Sequence, residues 1–150
     1  MSDSVARRKR EDVSGAKVAE SLAARGFQVV ARECVADERR EIEPALKRLA
    51  LQARLVVTTG GTGIAARDVT PEATRAVCDR MVEGIAERMR AAGMQKTARA
   101  VLSRGVCGVI GASLVLNLPG SPAGAVESLD AVAEVLPHAL ELLAGKTEHS

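Results

Sequence analysis

Residues 55–73 read LVVTTGGTGIAARDVTPEA, and this stretch limits the folding options of the chain more than any other. An apolar run ends in Thr58 and Thr59. Gly60, Gly61 and Gly63 follow, then Arg67-Asp68, then Thr70-Pro71-Glu72 at what reads as the opening of a helix. Thr70 suits a helix N-cap, Pro71 the first helical position and Glu72 the positive end of the helix dipole. A strand that turns through glycines into a helix is the repeating unit of α/β folds.

The rest of the chain extends that pattern. Ala16 to Arg25 reads as a short helix, preceded by Ser14-Gly15 and closed by Gly26. FQVVAREC, residues 27–34, reads as a strand. Residues 38–53 read as a helix whose regular part starts near Pro44, because proline lacks the amide a helix interior needs. RLVVTT, 54–59, reads as a strand. Pro71 to Ala91 reads as one long helix with Ala73, Val77, Ile85 and Met89 on one face. TARAVLS, 97–103, reads as a strand, as does SLVLNL, 113–118. Pro122 to Ala144 reads as a final helix, with Val126, Leu129, Val132, Leu136, Leu140 and Leu143 in a stripe. The expected fold is therefore α/β, a mostly parallel sheet between helical layers. At 150 residues the chain is expected to be one domain.

Composition excludes several classes of function. One Phe and no Trp or Tyr leave nothing for bases to stack on, so single-stranded nucleic acid is not the expected partner. A net charge of +2 names no partner. Cys34, Cys78 and Cys107 are far apart and form no C-x-x-C pair, which argues against a zinc ribbon or a disulfide framework; buried, reduced thiols are expected. The only histidines, His138 and His149, give no basis for a His-centred triad or metal site. No apolar run approaches membrane-spanning length and no signal-peptide pattern opens the chain, so a cytoplasmic protein without a membrane partner is expected.

In open α/β sheets, ligands bind beyond the carboxyl ends of strands. Two loops here stand at such ends. In TTGGTG, the glycines allow close approach of a ligand to nearly bare backbone, with successive amides aimed at an anion and the loop open at the rim of the sheet. The spacing is neither that of a Walker loop nor G-x-G-x-x-G. Asp68 beside an anion site would be repulsive unless a cation lay between them, which points to Mg²⁺. A glycine turn of this kind is equally compatible with no ligand, with Asp68 closing a turn. The second loop, NLPGSP, runs from Asn117 to Pro122, with Ser121 as a helix cap. Two such loops point to a shared cleft.

Taken together, SDSVARRKREDVSG, TTGGTGIAARDVTPEA and LSRGVCGVIGASLVLNLPGSPAGAVE resemble the molybdenum-cofactor biosynthesis family of the MoaB/Mog type, which includes bacterial molybdopterin adenylyltransferases and the gephyrin G domain. The resemblance covers nearly the whole chain in the same order. It implies a three-layer α/β/α sandwich, usually a homotrimer, that transfers AMP from ATP to the terminal phosphate of molybdopterin and releases pyrophosphate. The adenylylated pterin then passes to a molybdate-insertion protein. On this resemblance Gly60, Gly61, Thr62 and Gly63 fall on the nucleotide and phosphate loop. Asp68 falls on the acid beside Mg²⁺, and Asp37 on a second functional acid. Asp12, Ser14 and Gly15 match a D-x-S-G block, and Ser103, Asn117, Pro119, Gly120 and Ser121 match pocket-lining segments.

Three departures from the family pattern carry expectations. The family has an apolar, interior strand just before Ser2-Asp3-Ser4, so this chain is read as N-terminally truncated. Arg7 to Arg10 form a basic run, read either as a lip for a polyanionic substrate or as a solvated loop. Met81 stands where the family has an acid, which opens the alternative of a non-catalytic molybdopterin-binding member. A gephyrin-type scaffold is a third reading.

Overall fold

The structure, a computed structural model, describes residues 3–146, leaving out the side chains of residues 3–8 and 10–12. Its elements in order are α1 (Asp3–Ala24), α2 (Arg39–Gln52), β1 (Leu55–Thr59), α3 (Thr70–Val77), β2 (Arg80–Met81), α4 (Glu83–Met94), a 3-10 helix (Ala98–Leu102), β3 (Cys107–Ile110), β4 (Ser113–Leu118), α5 (Pro122–Val132), a 3-10 turn (Ala133–Val135) and α6 (Leu136–Leu143). The strands form one sheet in the order β1-β4-β3-β2.

β4 is the spine. All of its residues are buried. Leu114, Leu116 and Leu118 face a layer built from Val18 and Leu22 of α1, Ile85, Ala86 and Met89 of α4, Leu129 of α5 and Leu136 of α6. Val115 faces the opposite layer, with Val56 of β1, Ile42 and Leu46 of α2 and Ala73 of α3. Two-residue alternation thus sends apolar groups to both sides, each leucine contributing about 2 kcal/mol by burial. The expected helix–sheet–helix layering follows from that alternation.

The sheet is mixed, where mostly parallel strands were expected. β1 lies parallel to β4, but β3 is antiparallel to both β4 and β2. The cause is a two-residue turn: Ile110 pairs with Ser113 around Gly111, whose φ is +60°. A hairpin this tight can join only antiparallel strands.

Local expectations fare unevenly. RLVVTT and SLVLNL are strands, and Gly26 (φ +90°) closes α1 with its N–H on the Ala23 carbonyl and the Phe27 N–H on that of Leu22. α1 itself begins at Asp3 and runs through Ser14-Gly15, which were expected to precede it. Residues 27–34 join no strand ladder, and Val29 and Val30 are exposed. α2 starts at Arg39, ahead of Pro44, because the Glu38 carbonyl accepts from Glu41 and Ile42 and buried Ile42 anchors the first turn.

The long helix expected over 71–91 is broken. Asp79 donates its N–H to the Val109 carbonyl and Val82 to that of Cys107, so sheet pairing overrides helix periodicity and makes β2. TARAVLS forms a 3-10 helix, its Thr97 hydroxyl accepting from the Arg99 N–H. The strand of that region is Cys107–Ile110 instead. The last helix is interrupted at 133–135, where Pro137 starts a new one.

β1 stands at an edge yet sends apolar side chains to both layers, as interior strands do. Among the described residues, no helix is long and apolar enough to cross a membrane. Cys107 is buried and Cys78 half-buried, but Cys34 is exposed, because residues 27–34 lie outside the sheet. Burial pushes the Cys78 thiol up to about 11, and burial does the same to Cys107, up to about 12.

Candidate functional site

Because β1 and β4 are parallel, their carboxyl ends share one rim of the sheet. The loops that follow them start side by side: the Gly60 N–H donates to the Leu118 carbonyl at 3.0 Å. Gly60 and Gly61 have φ of +90° and +69°, values that favour glycine. A Cβ on Gly61 would stand 2.3 Å from Thr70 Oγ1, and one on Gly120 would stand 3.3 Å from the Cα of Gly60. The glycines therefore let the two loops and the head of α3 close on one another. This corrects the expectation of bare, open backbone: Gly60, Gly61 and Thr62 are buried, and only Gly63 is half-buried.

Which way the loop faces is settled by its carbonyls. That of Gly61 accepts from the Thr70 N–H at 3.2 Å, and that of Thr62 from the Arg104 N–H at 2.7 Å. The Gly63 carbonyl accepts from Arg104 Nε at 2.8 Å. In a trans peptide the next residue's N–H points opposite the carbonyl, and none of the described peptides is cis. The amides of Thr62, Gly63 and Ile64 consequently point away from Thr70 and Arg104. A run of amides held this way is the chemistry of an anion cradle.

Two carboxylates flank the loop. Asp68 Oδ2 accepts from the Ala65 N–H at 3.1 Å and lies 2.9 Å from where a Gly63 Cβ would be. Asp37 Oδ1 lies 3.7 Å from the corresponding point on Gly61. Both acids are half-buried, and each has further partners. Among the described residues, no group of three or more His, Cys, Asp or Glu side chains converges as a closed metal site.

The other expected site residues have varied fates. Ser14 is buried and donates to the Gly120 carbonyl at 2.5 Å, tying α1 to the second loop. Gly15 leaves room for the Arg32 guanidinium. Asn117 is buried. At 1% exposure, it donates to Thr58 Oγ1 and Thr74 Oγ1 and accepts from the Val106 N–H, so its amide is fully used in knotting β1, α3 and the start of β3 together. Ser121 caps α5 through the Gly124 N–H, and Pro119 and Gly120 are half-buried on the rim. Ser103 accepts from the Gly105 N–H. The side chains of Asp12, Arg7, Arg8 and Arg10 lie outside the described residues. Thr70 is the first residue of α3, with Val69 in the N-cap position, which corrects its expected capping role.

Arg104 was missed. Besides the Thr62 and Gly63 carbonyls, its Nη2 donates to the Asp68 carbonyl at 2.7 Å, and its Nη1 pairs with Glu72 at 2.6 Å. The hydrogen bond from Arg104 holds the Glu72 carboxyl below its ordinary value, and Glu72 raises that of the guanidinium in return. The available signal was a lone arginine between Ser103 and Gly105, just before a buried strand. Met81 sits on β2, at the edge of the sheet opposite β1, so within one chain it does not adjoin the glycine loop. A cavity of about 350 Å³ lined by Arg25, Phe27, Arg54 and Leu140 lies at the other end of β1, and neither rim loop lines it.

Comparison with known proteins bears on this geometry. Residues 1–138 match the family described as a probable molybdopterin binding domain. The chain is 41% identical over 148 residues to the molybdopterin adenylyltransferase of Helicobacter pylori strain J99, covering 96% of this chain and 84% of that protein. It is 39% identical over 125 residues to that of Escherichia coli K12, covering 74% and 64%. The crystal structure of the molybdopterin biosynthesis enzyme MoaB from Thermus thermophilus superposes with a TM-score of 0.87 at 52% identity, covering 97% of this chain and 92% of that one. Sequence, fold and the two loops meeting at one rim agree: the chain belongs to the MoaB/Mog family of molybdenum-cofactor biosynthesis proteins.

Proposed function

We propose that this protein transfers AMP from Mg²⁺-ATP to the terminal phosphate of molybdopterin, giving adenylyl-molybdopterin and pyrophosphate. The observation that carries the reading is the identity of 41% to a molybdopterin adenylyltransferase across 96% of the chain. A phosphate oxygen of the pterin attacks the α-phosphorus of ATP, and the bond to the oxygen bridging to the β-phosphate breaks. The nucleophile is already anionic, so no side-chain base is needed. Catalysis is mostly positioning and charge neutralisation.

In this reading the amides of Thr62, Gly63 and Ile64 hold phosphate oxygens. Asp37 and Asp68 fit magnesium, which takes hard oxygen donors from one or two carboxylates and completes its shell with phosphate and water. Bound there, the metal would neutralise charge building on the leaving pyrophosphate. Ser14 and Ser121 brace the second loop, closing the cleft from the side of β4. We also take the active form to be a homotrimer that passes its product to a molybdate-insertion protein, as the family resemblance implies.

The test is pyrophosphate release from ATP in the presence of molybdopterin. Wild-type protein should turn over and stop on chelation of magnesium, and Asp68→Ala should lower kcat by about a hundredfold or more, the scale of losing a charge-stabilising group. Turnover surviving intact in Asp68→Ala would remove the metal role. Tight pterin binding with no pyrophosphate from any preparation would favour the non-catalytic alternative.

A further inference from the structure

We propose that Arg104 is a positioning residue: by gathering the carbonyls of the glycine loop on one side, it directs the loop's amides to the other, and Glu72 locks it in place. The catalytic consequence rests on the adenylyltransferase reading. The geometry does not.

Arg104 engages four separate points. Its N–H takes the Thr62 carbonyl, Nε the Gly63 carbonyl, Nη2 the Asp68 carbonyl, and Nη1 with Nη2 the Glu72 carboxylate at 2.6 and 3.3 Å. The first three bonds reach from buried Thr62 to Asp68, two residues ahead of α3. Successive carbonyls at 62 and 63 converge on one residue, so the N–H groups of 63 and 64 are turned together the other way. The side chain itself meets two carbonyls, those of Gly63 and Asp68, and a carboxylate at once, which takes a planar, forked guanidinium. A lysine ammonium has the charge without the fork.

Arg104 is itself held from behind. The Gly105 carbonyl accepts from Arg90 Nη1 at 2.9 Å, and the Val106 N–H donates to Asn117. Glu72 stands in the first turn of α3 and pairs with Arg104 Nη1 at 2.6 Å, so the fork has an anchor on the helix. The loop is thereby strung between two rigid elements, α3 and the lead into β3. A brace that merely added stability could bind any part of the loop. This one takes the carbonyls whose direction decides where the amides face.

The experiment compares wild type, Arg104→Ala, Arg104→Lys and Glu72→Gln in three measurements. Amide hydrogen exchange in the ligand-free protein should quicken at Asp68 and Thr70 by about tenfold in Arg104→Ala, the scale of one hydrogen bond lost, while Val115 and Leu116 on β4 keep their rates. Affinities for Mg²⁺-ATP and for molybdopterin are titrated separately, and at least one should weaken about tenfold in Arg104→Ala. kcat/KM for pyrophosphate release should fall with it. Arg104→Lys should recover part of each effect, and Glu72→Gln should show a milder version.

Unchanged exchange at Asp68 and Thr70 would overturn the proposal. So would faster exchange with both affinities and kcat/KM intact, since the arginine would then be a brace only. If Arg104→Ala fails to fold, Arg104→Lys and Glu72→Gln decide the matter by the same criteria. Should wild type release no pyrophosphate, the adenylyltransferase reading fails by itself; exchange and molybdopterin affinity then decide the role of Arg104.

Discussion

At the scale of single residues, the site is made by exclusion as much as by contact. Gly61 combines a φ of +69° with a neighbour, Thr70 Oγ1, that would stand 2.3 Å from any Cβ. Gly61→Ala therefore meets both backbone strain and a clash. We expect it to lower stability by about 2–4 kcal/mol, read as a drop in the urea midpoint, whereas Gly84→Ala, with open space around it, should not. The Glu72–Arg104 pair sets a pH dependence. The Glu72 carboxyl is held below its ordinary value of 4.5, so its contribution is fully present above about pH 4.5 and is lost as pH falls through the lowered value. The guanidinium stays charged throughout. The gap in melting temperature between wild type and Glu72→Gln should hold steady from pH 7 to about pH 4.5 and close below it. A gap that widened with acid would contradict the pairing. Asn117 shows why a residue's type does not reveal its job. It matches a pocket-lining segment of the family, and in this chain its buried amide is satisfied inside the protein by Thr58, Thr74 and the Val106 N–H.

At the scale of elements, the misreadings share one cause. The helical periodicity of 71–91 is real, with Ala73, Ile85 and Met89 all buried, but a two-residue strand between them pairs with β3 and divides it. FQVVAREC has strand composition and no strand partner in the structure. α1 continues ahead of Ser14, which meets Gly120 at the rim, so residues 3–13 add roughly 16 Å of helix at 1.5 Å per residue. β1 is left at an edge with apolar side chains on both faces and no charge or proline to guard it. A strand-forming apolar segment of about six residues, a typical strand length, fused ahead of Met1 should pair with β1 and shorten α1. The melting temperature should rise by about 4 °C or more. A charged segment of equal length should do neither. If the 150-residue chain is already a cooperative trimer by sedimentation and thermal melt, or if the apolar fusion changes nothing, the edge needs no partner.

At the scale of the whole molecule, the α/β class, the strands on either side of the rim, the glycine loop and the Ser121 cap could all be read along the chain. Each depends on signals within a few residues: alternation, glycine at positive φ, a hydroxyl before a proline. The same local signals, taken together in order, were enough to identify the family. What only the tertiary structure decided was how groups distant in sequence use one another. Arg104 lies 41 residues from Gly63, whose carbonyl it holds, and Ser14 lies 106 from Gly120. Folding also turned presumed open glycines into a packed junction and divided two helices. Backbone donors and acceptors must be satisfied wherever the chain brings them, and no pattern along a sequence states which distant partner will do so.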